Sequence, residues 1–326
     1  MERKQVLVYR ELPPQDLARL QAQCEVILAD PRKPVQVQAF LDALPRVHGL
    51  IGSSYRIDDA LLDHAPHLEV ISTISVGVDQ FPLAALARRG ITLCHTPDVL
   101  TETVADLLFA LVLGTSRRIV ELGRYVQQGR WKKSLGEDMF GWDVHGKTLG
   151  ILGYGRIGQA LARRAALGFG MPVLYHSRRP VASGLPDGMA RMASREEVLR
   201  ESDFVVLMLP LTEETRGLVG AEQFAMMKPE AIFINGARGP IVDENALLDA
   251  LDRGQIRGAG LDVFEVEPLP ADSPLRDHPK VLALPHAGSA TYETRAAMAR
   301  MAVDNLLLAL AGEKPLAAYP LERNAG

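Results

Sequence analysis

Within "KTLGILGYGRIGQALARRAALGF", Gly153, Gly155 and Gly158 fall in the spacing G-x-G-x-x-G. The run before them, "TLGIL", is short and apolar, and the run after them places apolar residues at helical spacing. The segment therefore dictates a strand, a tight turn and a helix. Each glycine answers a separate demand: the first turns the chain, the second leaves backbone bare for a phosphate, and the third lets helix sit close to strand. The first helical amides, those of Arg156 and Ile157, then face an anion. A glycine-rich connection in another α/β fold shares the spacing but not both flanks. The stretch reads as a dinucleotide-binding turn, and it implies an open parallel sheet wrapped by helices.

The rest of the chain has the alternation such a sheet needs. Short apolar runs "VLVYR", "CEVILAD", "HGLIGS", "LEVISTIS" and "ITLCHT" alternate with helix-like "PQDLARLQAQ", "PVQVQAFLDAL" and "PLAALARRG". Strand then helix, repeated, predicts a parallel sheet covered on both faces, closing near Pro97. Residues 101–131 carry no proline and read as one long helix, with Thr103 and Asp106 as a capping box and an interruption, if anywhere, at Gly114. A second array follows in "KTLGILG", "MPVLYHS", "DFVVLMLP", "AIFIN", "AGLDV" and "KVLALP", and six strands complete a dinucleotide fold. Because that array is finished at Pro285, the helical tail ending at Gly312 packs back on the first domain. The expected fold class is α/β with two doubly wound parallel-sheet domains. A flavodoxin-like substrate domain, 1–99 and 289–326, is interrupted by an inserted Rossmann cofactor domain, 100–288. A chain of 326 residues is long enough for two cores.

Composition removes several function classes. A formal charge of -4 gives no basic field for nucleic acid or an acidic membrane surface. The longest apolar run, "LLFALVLG", is too short to span a bilayer, and the first residues lack the apolar core of a signal peptide. Two cysteines, Cys24 and Cys94, read as buried thiols rather than a disulfide framework, and the expected setting is cytoplasmic.

Ligands of an open parallel sheet bind beyond the carboxyl ends of its strands. About 20 residues past the glycine turn an acid would accept the ribose 2′-hydroxyl of NAD, but the sequence has Ser177, Arg178 and Arg179 there. A hydroxyl and two guanidinium groups suit a 2′-phosphate, which makes NADPH the expected cofactor and NADH a secondary one. Two solvated surface arginines are the plainer alternative. After the last three strands come Arg238, Glu267 and His286. Singly, each has a dull explanation as an ion pair, a cap or a structural histidine. Together they suit reduction of a 2-keto acid: His286 supplies a proton, Glu267 favours the imidazolium, and Arg238 holds a carboxylate and polarises the carbonyl. No metal is required.

At these residues the chain resembles the D-isomer-specific 2-hydroxyacid dehydrogenases. "ISVGVDQ", "TVADLLFALVL", "GKTLGILGYGRIGQALA", "LMLPLTEET", "FINGARGPIVDENAL", "GLDVFEVEP" and "LPHAGSAT" occur in family order over nearly the whole chain. "STISVGVDQF", "TPDVLTETVAD" and "MPVLYHSRRP" are similar to the family's bacterial NADPH-dependent branch, which reduces glyoxylate, hydroxypyruvate and 2-ketogluconate. The resemblance implies Arg238 as the substrate-binding arginine, His286 as proton donor and Glu267, the glutamate before proline, as its partner. It further implies that Asp262 binds the nicotinamide carboxamide. Backbone amides at Val76 and Gly77 would hold the substrate carboxylate, with both domains closing over it. Val104, Pro210, Thr215, Ala237 and Gly288 match cofactor-contact positions. A homodimer through the cofactor domain is also implied, with Trp131, Phe140 and Trp142 at the interface, though packing within one chain would suit those aromatics equally. Two further readings remain open. One is the same triad acting on another anion, a larger 2-keto acid or phosphite. The other is a dinucleotide-sensing binding protein like the corepressors of this fold.

Overall fold

The computed structural model describes residues 3–321. They fall into two compact units, Met1–Leu100 with Ala290–Gly326, and Thr101–Ser289. In the first unit, β1 (Gln5–Val8), β2 (Glu25–Leu28), β3 (Gly49–Gly52), β4 (Val70–Thr73) and β5 (Thr92–Cys94) form a five-stranded sheet ordered β2-β1-β3-β4-β5. All its pairings are parallel, and the order is that of flavodoxin. β3 and β4 are buried along their whole length, which is why they read as continuous apolar runs.

The Tyr292–Leu310 helix belongs to this unit and packs on β3, β4 and β5. Ser72 Oγ donates to the Ala302 carbonyl at 2.7 Å. Buried Asn305 is used at both ends of its amide, donating to His95 O at 3.1 Å and accepting from Ala317 N at 2.9 Å. Gly312, at φ +76°, takes the left-handed conformation just past the helix end.

The second unit holds β6 (Leu149–Leu152), β7 (Val173–His176), β8 (Ala190–Met192), β9 (Phe204–Leu207), β10 (Ile232–Asn235), β11 (Gly258–Leu261) and β12 (Val281–Ala283). Its sheet, ordered β12-β11-β10-β9-β6-β7-β8, is again wholly parallel. From β8 to β11 this is the dinucleotide-fold order, with β12 added at the far edge. The sheet thus has seven strands, not six. β8 escaped notice because it is a three-residue edge strand, "ARM", that is mostly exposed and shows no apolar run.

Two further expectations differ from the structure, and one open alternative closes. The helix after the first unit is two helices, Thr101–Ser116 and Ile119–Gln127, and the break lies at Arg118, which has φ +53°. Gly114 is inside the first helix, where a Cβ would come within 2.9 Å of Leu282, so close packing explains the glycine. The Thr103–Asp106 capping box fails because the helix already begins at Thr101, and the Asp106 carboxylate accepts from Arg164 Nε at 2.7 Å. Trp131, Phe140 and Trp142 are not core residues, being 63%, 53% and 44% exposed.

Cys24 and Cys94 are buried free thiols, and burial pushes Cys94 up to about 12. Among the described residues no helix is long and apolar enough to cross a membrane.

Candidate active site

Because the second sheet is parallel, the segments leaving β6, β7, β9, β10, β11 and β12 all emerge at one edge. The glycine turn after β6 shows which of its glycines the protein itself requires. A Cβ on Gly153, at φ +107°, would lie 2.4 Å from the Met208 carbonyl oxygen, and one on Gly158 would lie 2.5 Å from that of Gly153. At Gly155 a Cβ would meet nothing within 4 Å. The chain does not need that glycine for its own packing, but a phosphate approaching the backbone does. Gly155 is also the N-cap of the Arg156–Arg163 helix and supplies no side-chain cap, so the start of this helix is the end at which an anion would meet backbone amides. The site fits a dinucleotide pyrophosphate.

β7 delivers the segment with Ser177, Arg178 and Arg179, and both guanidinium groups are exposed. After β9, Thr215 Oγ1 donates to the Pro210 carbonyl at 2.7 Å and accepts from the Thr212 amide at 2.8 Å, closing that loop on itself. Val104 stands against Gly288, where a Cβ would be 3.5 Å from the valine methyl.

After β12, His286 Nδ1 lies 2.7 Å from Glu267 Oε2. The other carboxylate oxygen accepts from the Phe264 amide at 3.0 Å, which orients the glutamate toward the ring. Burial pushes the Glu267 carboxyl up. The hydrogen bonds from His286 and the Phe264 amide, with the charges of His286 and Arg238, outweigh that effect and hold it below the usual carboxylate range. Glu267 therefore stands beside the ring as a carboxylate. The two side chains are 48% and 34% exposed, so a small molecule can reach the ring.

His286 itself has φ +51°, a conformation that costs a residue with a Cβ on the order of 1 kcal/mol. Asp262 supports it. The His286 amide donates to the Asp262 carbonyl at 2.9 Å, and the Asp262 carboxylate accepts the amides of Ala287 at 2.7 Å and Gly288 at 2.8 Å. Burial raises the Asp262 carboxyl above its ordinary value even against those two amides. The aspartate thus braces the histidine loop, a role that spacing gave no means to see.

Arg238 leaves β10 through a turn built by Asn235. That side chain is 1% exposed, accepts from the Ala237 amide at 3.0 Å and donates to the Arg238 carbonyl at 3.3 Å. Arg238 Nη1 donates to the Ala237 carbonyl at 2.7 Å, and its charge acts on Glu267. The next residue, Gly239, is tightly enclosed by backbone: a Cβ there would fall 1.8 Å from the Phe264 carbonyl carbon. Glu244 completes the frame by accepting from the Glu265 amide at 2.7 Å. Asn235, Gly239 and Glu244 were missed from sequence, although an asparagine at a strand end followed by glycine is a turn signal. Val76 and Gly77 follow β4 in the other unit, where Ser75 Oγ donates to the Gly77 carbonyl at 2.7 Å and His95 Nδ1 lies 3.1 Å from the Val76 carbonyl oxygen.

Residues 109–288 match the family model for the D-isomer specific 2-hydroxyacid dehydrogenase NAD binding domain. The chain belongs to the D-isomer specific 2-hydroxyacid dehydrogenase family. It is 55% identical to glyoxylate/hydroxypyruvate reductase B of Escherichia fergusonii over 94% of this chain and 95% of that protein. The Klebsiella pneumoniae protein of the same name is 53% identical, with the same coverage of each chain. Among solved dehydrogenases, the NADPH-dependent glyoxylate/hydroxypyruvate reductase of Sinorhizobium meliloti, crystallised with NADP and malonate, superposes with a TM-score of 0.87 and 34% identity, over the whole of both chains. A Thermus thermophilus protein gives 0.88 and 45%, over 97% of this chain and 100% of its own.

Proposed function

We propose that the protein reduces small 2-keto acids, glyoxylate and hydroxypyruvate among them, to the corresponding 2-hydroxy acids with NADPH. The observation that carries this reading is the 2.7 Å pair of His286 and Glu267 at the sheet edge that also bears the glycine turn. The names of the relatives above agree with it.

When bound, the reduced nicotinamide supplies a hydride to the carbonyl carbon. Protonated His286 delivers the proton that the carbonyl oxygen then needs, and Glu267 stabilises the imidazolium beforehand. Arg238 holds the substrate carboxylate and polarises the carbonyl, and the Val76 and Gly77 amides are the substrate contacts we propose for the other unit. Asp262 binds the nicotinamide carboxamide while bracing the histidine loop. Ala237, Gly288, Val104, Pro210 and Thr215 line the dinucleotide. Arg178 and Arg179, with Ser177, read a 2′-phosphate. Turnover measured side by side with NADPH and NADH, against glyoxylate, hydroxypyruvate and 2-ketogluconate, tests the reading. NADPH is expected to be preferred, and no turnover with either cofactor would sink the proposal in favour of a dinucleotide-sensing protein.

We further propose a cytoplasmic homodimer formed through the cofactor unit. The exposed Ile119, Val126, Trp131, Phe140 and Trp142 give that unit an apolar face, and the Arg257 guanidinium lies 3.8 Å over the Trp142 ring. Static light scattering is expected to give twice the chain mass, and a monomer at working concentration would remove this proposal.

A further inference from the structure

The segment carrying Ser177, Arg178 and Arg179 has no helix or strand of its own between β7 and β8, yet it is fastened at several points. Tyr175 Oη donates to the Val181 carbonyl at 2.8 Å, and Tyr154 Oη donates to the Ser183 carbonyl at 2.9 Å. The two rings stack with centroids 3.7 Å apart and planes 17° from parallel, and both residues are buried. Tyr154 stands between Gly153 and Gly155, while Tyr175 lies within β7. The Gly153 amide adds a third tie by donating to the His176 carbonyl at 3.1 Å, where the chain leaves that strand.

The phosphate-facing turn and the arginine segment are therefore held as one piece. The tether from Tyr175 to Val181 closes a short ring around Ser177, Arg178, Arg179 and Pro180, in which the proline fixes one more dihedral. Beyond the ring, Gly184 and Gly188 at φ +67° and +82° leave the backbone with little stiffness of its own. Among the described residues neither Arg178 nor Arg179 is paired with an acid. Two exposed arginines on an untethered loop would have to be ordered by the ligand, at an entropic cost to affinity, whereas here the ordering is completed on folding. Burial pushes the Tyr154 hydroxyl up to about 12, so it remains a donor at neutral pH.

We propose that Tyr154 and Tyr175 are positioning residues: their stacked rings and hydroxyl tethers hold residues 177–179 where a 2′-phosphate is read, and so set the preference for a phosphorylated dinucleotide. This rests on the reading of the two arginines given above.

Tyr154→Phe and Tyr175→Phe keep the stacked rings and remove one tether each. In calorimetric titrations of the full chain, each variant is expected to raise the Kd for NADP+ roughly three- to tenfold, the weight of one hydrogen bond, with the Kd for NAD+ unchanged. The kcat at saturating NADPH is expected to stay the same. Equal weakening of both dinucleotides, or no weakening of NADP+, would overturn the proposal. An Arg178→Ala, Arg179→Ala double variant, titrated alongside, separates the two layers. If it keeps the preference for NADP+, the arginine reading fails and the tether proposal with it. If it loses the preference while both phenylalanine variants retain it, the tethers alone are refuted.

Discussion

His286→Gln is expected to lower kcat for 2-keto acid reduction roughly 100- to 10,000-fold, the range that a positioned general acid contributes, and to leave the Kd for NADPH unchanged. Glutamine keeps a polar side chain near Glu267 but has no proton to give. An unchanged kcat would remove His286 from the chemistry whatever its distance from Glu267. The partner gives a finer readout. The Glu267 carboxyl, held below its ordinary range, places a negative charge 2.7 Å from the ring. Glu267→Gln withdraws that charge from beside the proton that reduction consumes. Reduction needs that proton, and the basic limb of the kcat/KM profile is therefore expected to move to lower pH. A limb that stays in place would show that Glu267 orients the ring without tuning it.

Legibility in the sequence follows the kind of interaction involved. β3, β4, β6 and β10 could be read because both their faces are buried, and burial on both faces leaves a run of apolar residues in the text. β8 could not, since an exposed edge strand has no such need. Arg238, Glu267 and His286 could be nominated because each follows a strand of the same sheet. The supports were invisible: Asp262, which braces the histidine loop, bonds to amides 25 and 26 residues away, and Tyr154, which fastens the arginine segment, reaches a carbonyl 29 residues on. Such partners are set by the register of parallel strands, which no local pattern records. Gly114 misled for the same reason. Its cause is the Leu282 side chain across the unit, while the break in the helix falls at an arginine that no propensity would select.

Gly239→Ala is expected to be the most damaging single-methyl change in the second unit. The new Cβ would fall 1.8 Å from the Phe264 carbonyl carbon, 2.0 Å from its oxygen and 2.2 Å from the Glu265 nitrogen. All three are backbone atoms, so no side chain can rotate away and the segment itself must move by more than about 1 Å to reach ordinary contact. That segment carries the Phe264 amide that orients Glu267 and the Glu265 amide held by Glu244. A displacement of this size in a catalytic frame costs on the order of 100-fold in kcat/KM, and overpacking a buried site costs about 1–3 kcal/mol of stability. Thermal melts and kinetics are therefore expected to fall together. Gly155→Ala provides the contrast, since a Cβ there meets nothing within 4 Å and its backbone is extended. It is expected to leave the melting temperature unchanged and to weaken cofactor binding, because only the phosphate needs the bare backbone. Full stability and activity in the Gly239→Ala protein would mean that the Phe264 backbone yields without cost, and that Glu267 does not depend on where it is held.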